Sequence, residues 1–210
     1  TDLNLDHDVT IVDLGCSNLH SIQKILKRVG SSSFITADPQ EISKAKRLVL
    51  PGVGSFDHAV REIKQNQLLE SLNYSVLRRK VPILGICLGA QLMTQSSDEG
   101  SESGIGWFDF KTVSFQTNRF NTMKVPHMGW EEIQITKKSN LFNNTQDGTR
   151  FYFLHSFHFS NDKLDNITAT TNYGYDFPVA FEKDNIFGVQ FHPEKSGGNG
   201  IKFMENFTKL

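Results

Sequence analysis

The pentapeptide Gly85-Ile86-Cys87-Leu88-Gly89 restricts the fold more than any other stretch of the chain. An apolar run over residues 81–84 enters it and a helix-prone stretch over residues 90–93 leaves it, which makes it a tight turn between a buried strand and a helix. Glycines two residues to either side of Cys87 remove side chains that would collide in such a turn. This is the elbow pattern of G-x-S-x-G enzymes, with cysteine in the serine position. The helix that follows aims its amino-terminal peptide dipoles at the sulfur, which favours the reactive thiolate. The plain alternative is a small buried thiol beside two glycines; the strand before, the helix after and the paired glycines favour a nucleophile.

The same strand–loop–helix grammar recurs elsewhere. Residues 9–14 are apolar and run into Gly15-Cys16-Ser17-Asn18, after which Leu19, Ile22, Ile25, Leu26 and Val29 fall at helical spacing. Ser33–Thr36 is strand-like, and residues 47–50 end at Pro51-Gly52-Val53-Gly54-Ser55 before a helix expected over 56–63. Later pieces at 110–115, 132–135, 151–154, 168–171 and 186–191 are short, β-prone and separated by Asn, Asp and Gly turns, so several should pair antiparallel. A closing helix is expected over 200–207. The expectation is an α/β fold with a mainly parallel central sheet, helices on both faces, additional antiparallel strands and ligands at the carboxyl ends of the strands. The length suits one domain over 9–210 preceded by a flexible lead-in over 1–8.

A second cluster follows the last apolar run: His192-Pro193-Glu194-Lys195-Ser196. In an extended segment residues two apart project to one side, so His192 and Glu194 can meet, with Pro193 limiting backbone movement. A histidine that exchanges protons with a thiol and is held by a carboxylate is a generalised catalytic triad. His7, His20 and His58 have no such setting and read as structural, as does Cys16. His155 and His158, three apart in a β-prone stretch, should point to opposite faces, so no metal is expected. Gly104-Ile105-Gly106 lacks the third glycine of a dinucleotide loop, because position 109 is Asp109.

The 22 basic and 23 acidic residues give a net charge of -1 without any run of five like charges, which argues against nucleic-acid binding. No stretch approaches the ~18 apolar residues of a membrane span, and the first eight residues are polar and acidic rather than signal-like. A cytoplasmic protein is expected, and the N-x-S/T matches at Asn73, Asn143, Asn166 and Asn206 then read as accidental.

With Pro51-Gly52-Val53-Gly54, Val125-Pro126-His127-Met128-Gly129-Trp130 and Tyr152-Phe153-Leu154-His155-Ser156, the two motifs resemble class I glutamine amidotransferases. Within that family the chain resembles the HisH-type branch, the glutaminase subunits of imidazole glycerol phosphate synthase. The resemblance implies that Cys87, His192 and Glu194 hydrolyse L-glutamine through a cysteine thioester without a cofactor. It also implies that peptide N–H groups at Val53 and Leu88 form the oxyanion hole, and that Gly52, Gly54, Gln91 and Ser156 hold glutamine. Asn18, Met128, Trp130 and Lys195 would face a HisF-like (β/α)8 synthase subunit, which takes the ammonia in a heterodimer.

By their residue types alone, Met128 and Trp130 could equally be core, Asn18 a turn residue and Lys195 a solvated charge. The chain departs from the family's usual Asp-Tyr-Gly-Met-Gly-Asn at Asp13-Leu14-Gly15-Cys16-Ser17-Asn18. It also has Trp107 where histidine-pathway members commonly have leucine. Paralogues that supply ammonia for amidination of cell-surface sugars resemble this second version, so the destination of the ammonia has two readings. A stand-alone cysteine hydrolase and a catalytically silent binding subunit are the remaining alternatives.

Overall fold

The computed structural model describes residues 6–15, 18–117 and 123–210. Cys16, Ser17 and the first five residues of the expected lead-in lie outside the described residues. The opening half alternates strands and helices: β1 (Val9–Val12), α1 (Leu19–Arg28), β2 (Ser33–Thr36), α2 (Pro39–Lys44), β3 (Leu48–Leu50), α3 (Phe56–Gln65), α4 (Leu68–Asn73), β4 (Ile83–Ile86) and α5 (Leu88–Leu92). The second half is mostly strands: β5 (Thr112–Ser114), β6 (His127–Ile135), β7 (Arg150–His155), β8 (Phe157–Phe159), β9 (Ile167–Asn172), β10 (Asp176–Lys183) and β11 (Ile186–Val189), closed by α6 (Gly197–Phe207).

Nine strands form one sheet in the order β2-β1-β3-β4-β11-β10-β9-β6-β7. The first five of these pair in parallel, as the strand–helix alternation requires, and the pairings from β11 through β10, β9 and β6 to β7 are antiparallel. A small antiparallel pair, β5 with β8, lies apart. The apolar stripe of α1 buries Leu19, Ile22, Ile25 and Leu26. Together with residues of α6 it belongs to one hydrophobic cluster, and α2 to α5 belong to a second. Two helical layers therefore sandwich the sheet, as in a doubly wound fold.

The sequence did not foresee α4 or β8, and three further elements depart from its expectation. The α2 helix is short, and its signal is local: Asp38 accepts a hydrogen bond from Gln40 N at 2.8 Å and Pro39 occupies the first helical position. The β10 strand contains Pro178, a residue that argues against a central strand; it is tolerated because the pairing with β9 shifts register between Pro178 and Ala180. The β6 strand starts at His127, well before the expected 132, because its first half pairs with β7 and only residues 133–135 pair with β9.

The functional geometry follows from one adjacency. Strands β4 and β11 are parallel neighbours with Ile86 opposite Val189. Cys87 and the segment leading to His192 therefore leave the sheet side by side, at the carboxyl ends where a parallel sheet leaves room for ligands.

Candidate active site

Cys87 caps α5 with φ 53° and ψ -112°, a left-handed backbone that a non-glycine residue adopts only under local constraint. Its own N–H is tied to Val189 O at 2.8 Å and its carbonyl accepts Gln91 N at 3.1 Å. The flanking glycines are required by contact. A Cβ on Gly89 would stand 1.7 Å from Leu50 O, and one on Gly85 would stand 2.8 Å from the Ala90 backbone. The sulfur lies at a cleft of about 290 Å³ whose walls include Val53, Gly54, Leu88, Gln91, Glu99 and Ser156. A cleft of similar size, about 320 Å³, lies on the antiparallel half between Trp130, Glu132, Arg150 and Asp176, away from any nucleophile.

His192 Nδ1 donates to Glu194 Oε1 at 2.6 Å, and both side chains are buried. The route to this contact differs from the expected one. Pro193–Lys195 form a 3-10 turn, so the pair meets across the start of a helical turn and not by alternation along a strand. Glu194 Oε1 also accepts the side-chain amide of Asn18. His192 Nε2 has no hydrogen-bond partner at ordinary distance. Burial alone would pull the imidazole's pKa down; the charge of the Cys87 sulfur, together with Glu194, outweighs it and raises the pKa to about 10. His192 thus keeps its proton beside Cys87 and Glu194, the arrangement in which a histidine holds a proton ready for a leaving group.

The other expected residues fall into two groups. Val53, Gly54, Leu88, Gln91 and Ser156 line the cleft, whereas Gly52 is buried and set so tightly that a Cβ there would stand 2.8 Å from Leu88 Cβ. Gly52 thus shapes the wall from behind. Met128 and Trp130 are 62% and 41% exposed, which removes the core reading for both, and Lys195 is exposed as well. Asn18 is half-buried against Glu194, nearer the chemistry than a surface role requires.

Several residues at the site were given no catalytic or binding role by the sequence. Glu99 reaches the cleft because its loop docks on the start of α3, where Glu99 Oε2 accepts Phe56 N at 3.0 Å. Glu99 is open to solvent at the rim, yet surrounding protein raises its carboxyl pKa by desolvation. Gln190 is fully buried beside the sulfur. His155 and His127 form a buried pair, Nε2 to Nδ1 at 2.9 Å, while His155 Nδ1 binds Phe157 O at 2.7 Å. His158 turns elsewhere, to Phe159 O and Tyr175 Oη. Among the described residues no group of three or more His, Cys, Asp or Glu side chains is placed to hold a metal ion.

Comparison with known proteins points the same way. The family model for glutamine amidotransferase class-I matches residues 10–210. The imidazole glycerol phosphate synthase subunit HisH 2 of Methanococcus maripaludis is 46% identical over 201 residues, covering 96% of this chain and 98% of that protein. The protein of the same description in Pseudomonas aeruginosa is 37% identical over 202 residues, covering 96% and 99%. The structure of PurLQS from Thermotoga maritima shares the fold, with a TM-score of 0.74 at 15% identity over 96% of this chain and 97% of that one.

Proposed function

From the chain's membership of the class-I glutamine amidotransferases, we propose that it is a HisH-type glutaminase subunit that supplies ammonia to imidazole glycerol phosphate synthase in histidine biosynthesis. The observation that carries the chemistry is the buried His192–Glu194 pair beside the strained Cys87, which lines the cleft.

Glutamine enters with its carboxamide carbon facing the sulfur. The Cys87 thiolate attacks, and the carbonyl oxygen becomes an oxyanion directed at the peptide N–H groups of Leu88 and Val53; each such donor lowers the barrier by about 3 kcal/mol. His192 gives its proton to the departing ammonia, leaving a glutamyl thioester. It then takes a proton from water, whose oxygen attacks the thioester and releases glutamate and the thiolate. Glu194 orients the imidazole and stabilises its charged form.

Gln91 offers its side-chain oxygen to the substrate, because both of its amide hydrogens are directed at Phe157 O and Gln190 Oε1. Glu99 is the carboxylate at the cleft available for the substrate's ammonium group. Met128 and Trp130, two apart on β6, project to one side of their strand; with Lys195 and Asn18 they would form the face for a HisF-like (β/α)8 partner in a heterodimer. Large exposed apolar side chains of this kind suit a protein interface.

The histidine-pathway destination is favoured over the surface-sugar one by relatives at 46% and 37% identity described as imidazole glycerol phosphate synthase subunits; Trp107 itself is buried, with its Nε1 donating to Asn73 Oδ1 at 2.8 Å. The free thiol chemistry suits the reducing cytoplasm, and no helix among the described residues is long and apolar enough to cross a membrane. The test is Cys87→Ala in complex with the partner. Glutamine-dependent synthesis should be lost while ammonium-dependent synthesis persists. Glutamine hydrolysis surviving in that variant, or wild-type turnover of peptides or esters without a partner, would reject the proposal.

A further inference from the structure

Gln190 follows β11 directly, and its backbone N–H is tied to Val179 O at 2.8 Å, so its place in the sheet is set by main-chain pairing. Its side chain is completely buried, where an apolar residue would pack without the cost of desolvating an amide. It meets two groups of the active site. Its Nε2 lies 3.5 Å from Cys87 Sγ, and its Oε1 accepts Gln91 Nε2 at 3.0 Å.

The direction of these bonds is determined by a backbone carbonyl. Phe157 O can only accept, and it takes Gln91 Nε2 at 3.1 Å as well as His155 Nδ1 at 2.7 Å. The nitrogen end of Gln91 therefore faces Gln190, and its second hydrogen must meet an oxygen. Gln190 accordingly presents Oε1 to Gln91, which leaves its own N–H₂ on the sulfur. Turning the Gln190 amide over would set two donors against each other at 3.0 Å and withdraw the only side-chain donor bonded to Cys87 among the described residues.

We propose that Gln190 is a further catalytic residue: its amide donates to the Cys87 sulfur and stabilises negative charge there, while its carbonyl holds Gln91 with the substrate-facing oxygen forward. Attack on glutamine consumes the thiolate and breakdown of the thioester restores it, so a donor fixed on the sulfur acts at both ends of the cycle. The donor occupies a water-excluded position, where a hydrogen bond to a charged atom is stronger than in solvent. This assignment deepens the glutaminase reading and rests on it only for the identity of Cys87 as nucleophile.

The experiment measures the rate of Cys87 alkylation by iodoacetamide across pH, together with glutaminase kcat and KM in the presence of the synthase partner. In Gln190→Met, which keeps side-chain size but cannot donate and accepts only weakly, the alkylation profile should move to higher pH and kcat should fall by about 10-fold or more. Gln190→Glu keeps an oxygen towards Gln91 and replaces the donor; it should move the alkylation profile the same way with a smaller change in KM. Circular dichroism establishes that each variant is folded, and if Gln190→Met does not fold then Gln190→Glu decides alone. Alkylation profiles that coincide with wild type, with kcat within about twofold, overturn the assignment. A shifted profile in a protein that fails to hydrolyse glutamine would instead uphold Gln190 and reject the glutaminase reading.

Discussion

Asn18, at the entry to the first helix, donates its side-chain amide to Glu194, the carboxylate that holds His192. Two donors thus converge on Glu194 Oε1, while Oε2 is buried without a partner. The carboxylate's position consequently depends on both contacts, and Asn18 links it to a loop that departs from the family's usual sequence.

Replacing Asn18 with alanine removes one of those donors without touching the substrate. A hydrogen bond to a charged group contributes about 1.5–3 kcal/mol, of which part is recovered by water. Glutaminase kcat should fall by about 5- to 20-fold with KM nearly constant. Steady-state assays with the partner present test this, and an unchanged kcat would mean that His192 alone orients the carboxylate.

Cys87 carries the positive φ that glycine tolerates and other residues do not. Cys87→Gly and Cys87→Ala should both be inactive, but the glycine variant should be more stable than the alanine variant by about 1 kcal/mol, the reverse of the usual order. Paired urea denaturation curves would reveal the difference. Equal midpoints would indicate that the elbow relaxes once the sulfur is gone.

Glu99 is the carboxylate at the cleft, and desolvation raises its pKa above the ordinary carboxylate value. Glu99→Gln should raise KM for glutamine by about 10-fold or more and change kcat far less, since uniform binding is lost and not transition-state binding. In wild type, KM should begin to rise on acidification at a pH above the usual carboxylate range, as Glu99 protonates. A KM insensitive to both changes would exclude Glu99 from substrate binding.

His127 is buried and neutral, with its pKa lowered to about 4 by desolvation, and His155 is lowered for the same reason. Unfolding releases such groups to protonate at their ordinary value, so their contribution is complete above about pH 6.5 and is lost as pH falls towards 4; for His127 it amounts to at most about 3 kcal/mol. His192 acts in the opposite sense. Its raised pKa gives a contribution present below about pH 6.5 and lost as pH climbs through about 10. Melting temperature should therefore decline on both flanks. In His127→Gln, whose amide can still donate to His155, the acid-side decline should be shallower; an identical acid limb would assign it to other groups.

The strand–turn–helix around Cys87 was legible from residue order because glycine spacing and apolar runs are local facts: a Cβ at Gly85 or Gly89 collides with backbone whatever else the chain does. The helix of α1 and the strand of β2 were legible for the same reason, one through helical spacing and the other through a short β-prone run. The strand at β10 was hidden by Pro178, whose cost is absorbed by a bulge that exists only when β9 lies alongside.

Residue order alone was enough to nominate Cys87 as nucleophile and His192 with Glu194 as base and orienting carboxylate, because each sits in a short motif with its own turn chemistry. Which side chains surround them follows from the packing of distant segments. Gln190 belongs to the motif that runs from Gly188 to Ser196, yet nothing local gave it or Glu99 a role, since their partners, Cys87, Gln91 and Phe56, are distant in the chain. The parallel register of β4 and β11, with Ile86 opposite Val189, brings Gln190 to the sulfur, and the docking of a loop on α3 brings Glu99 to the cleft. Contacts of this kind depend on sheet order and burial, which residue spacing does not encode.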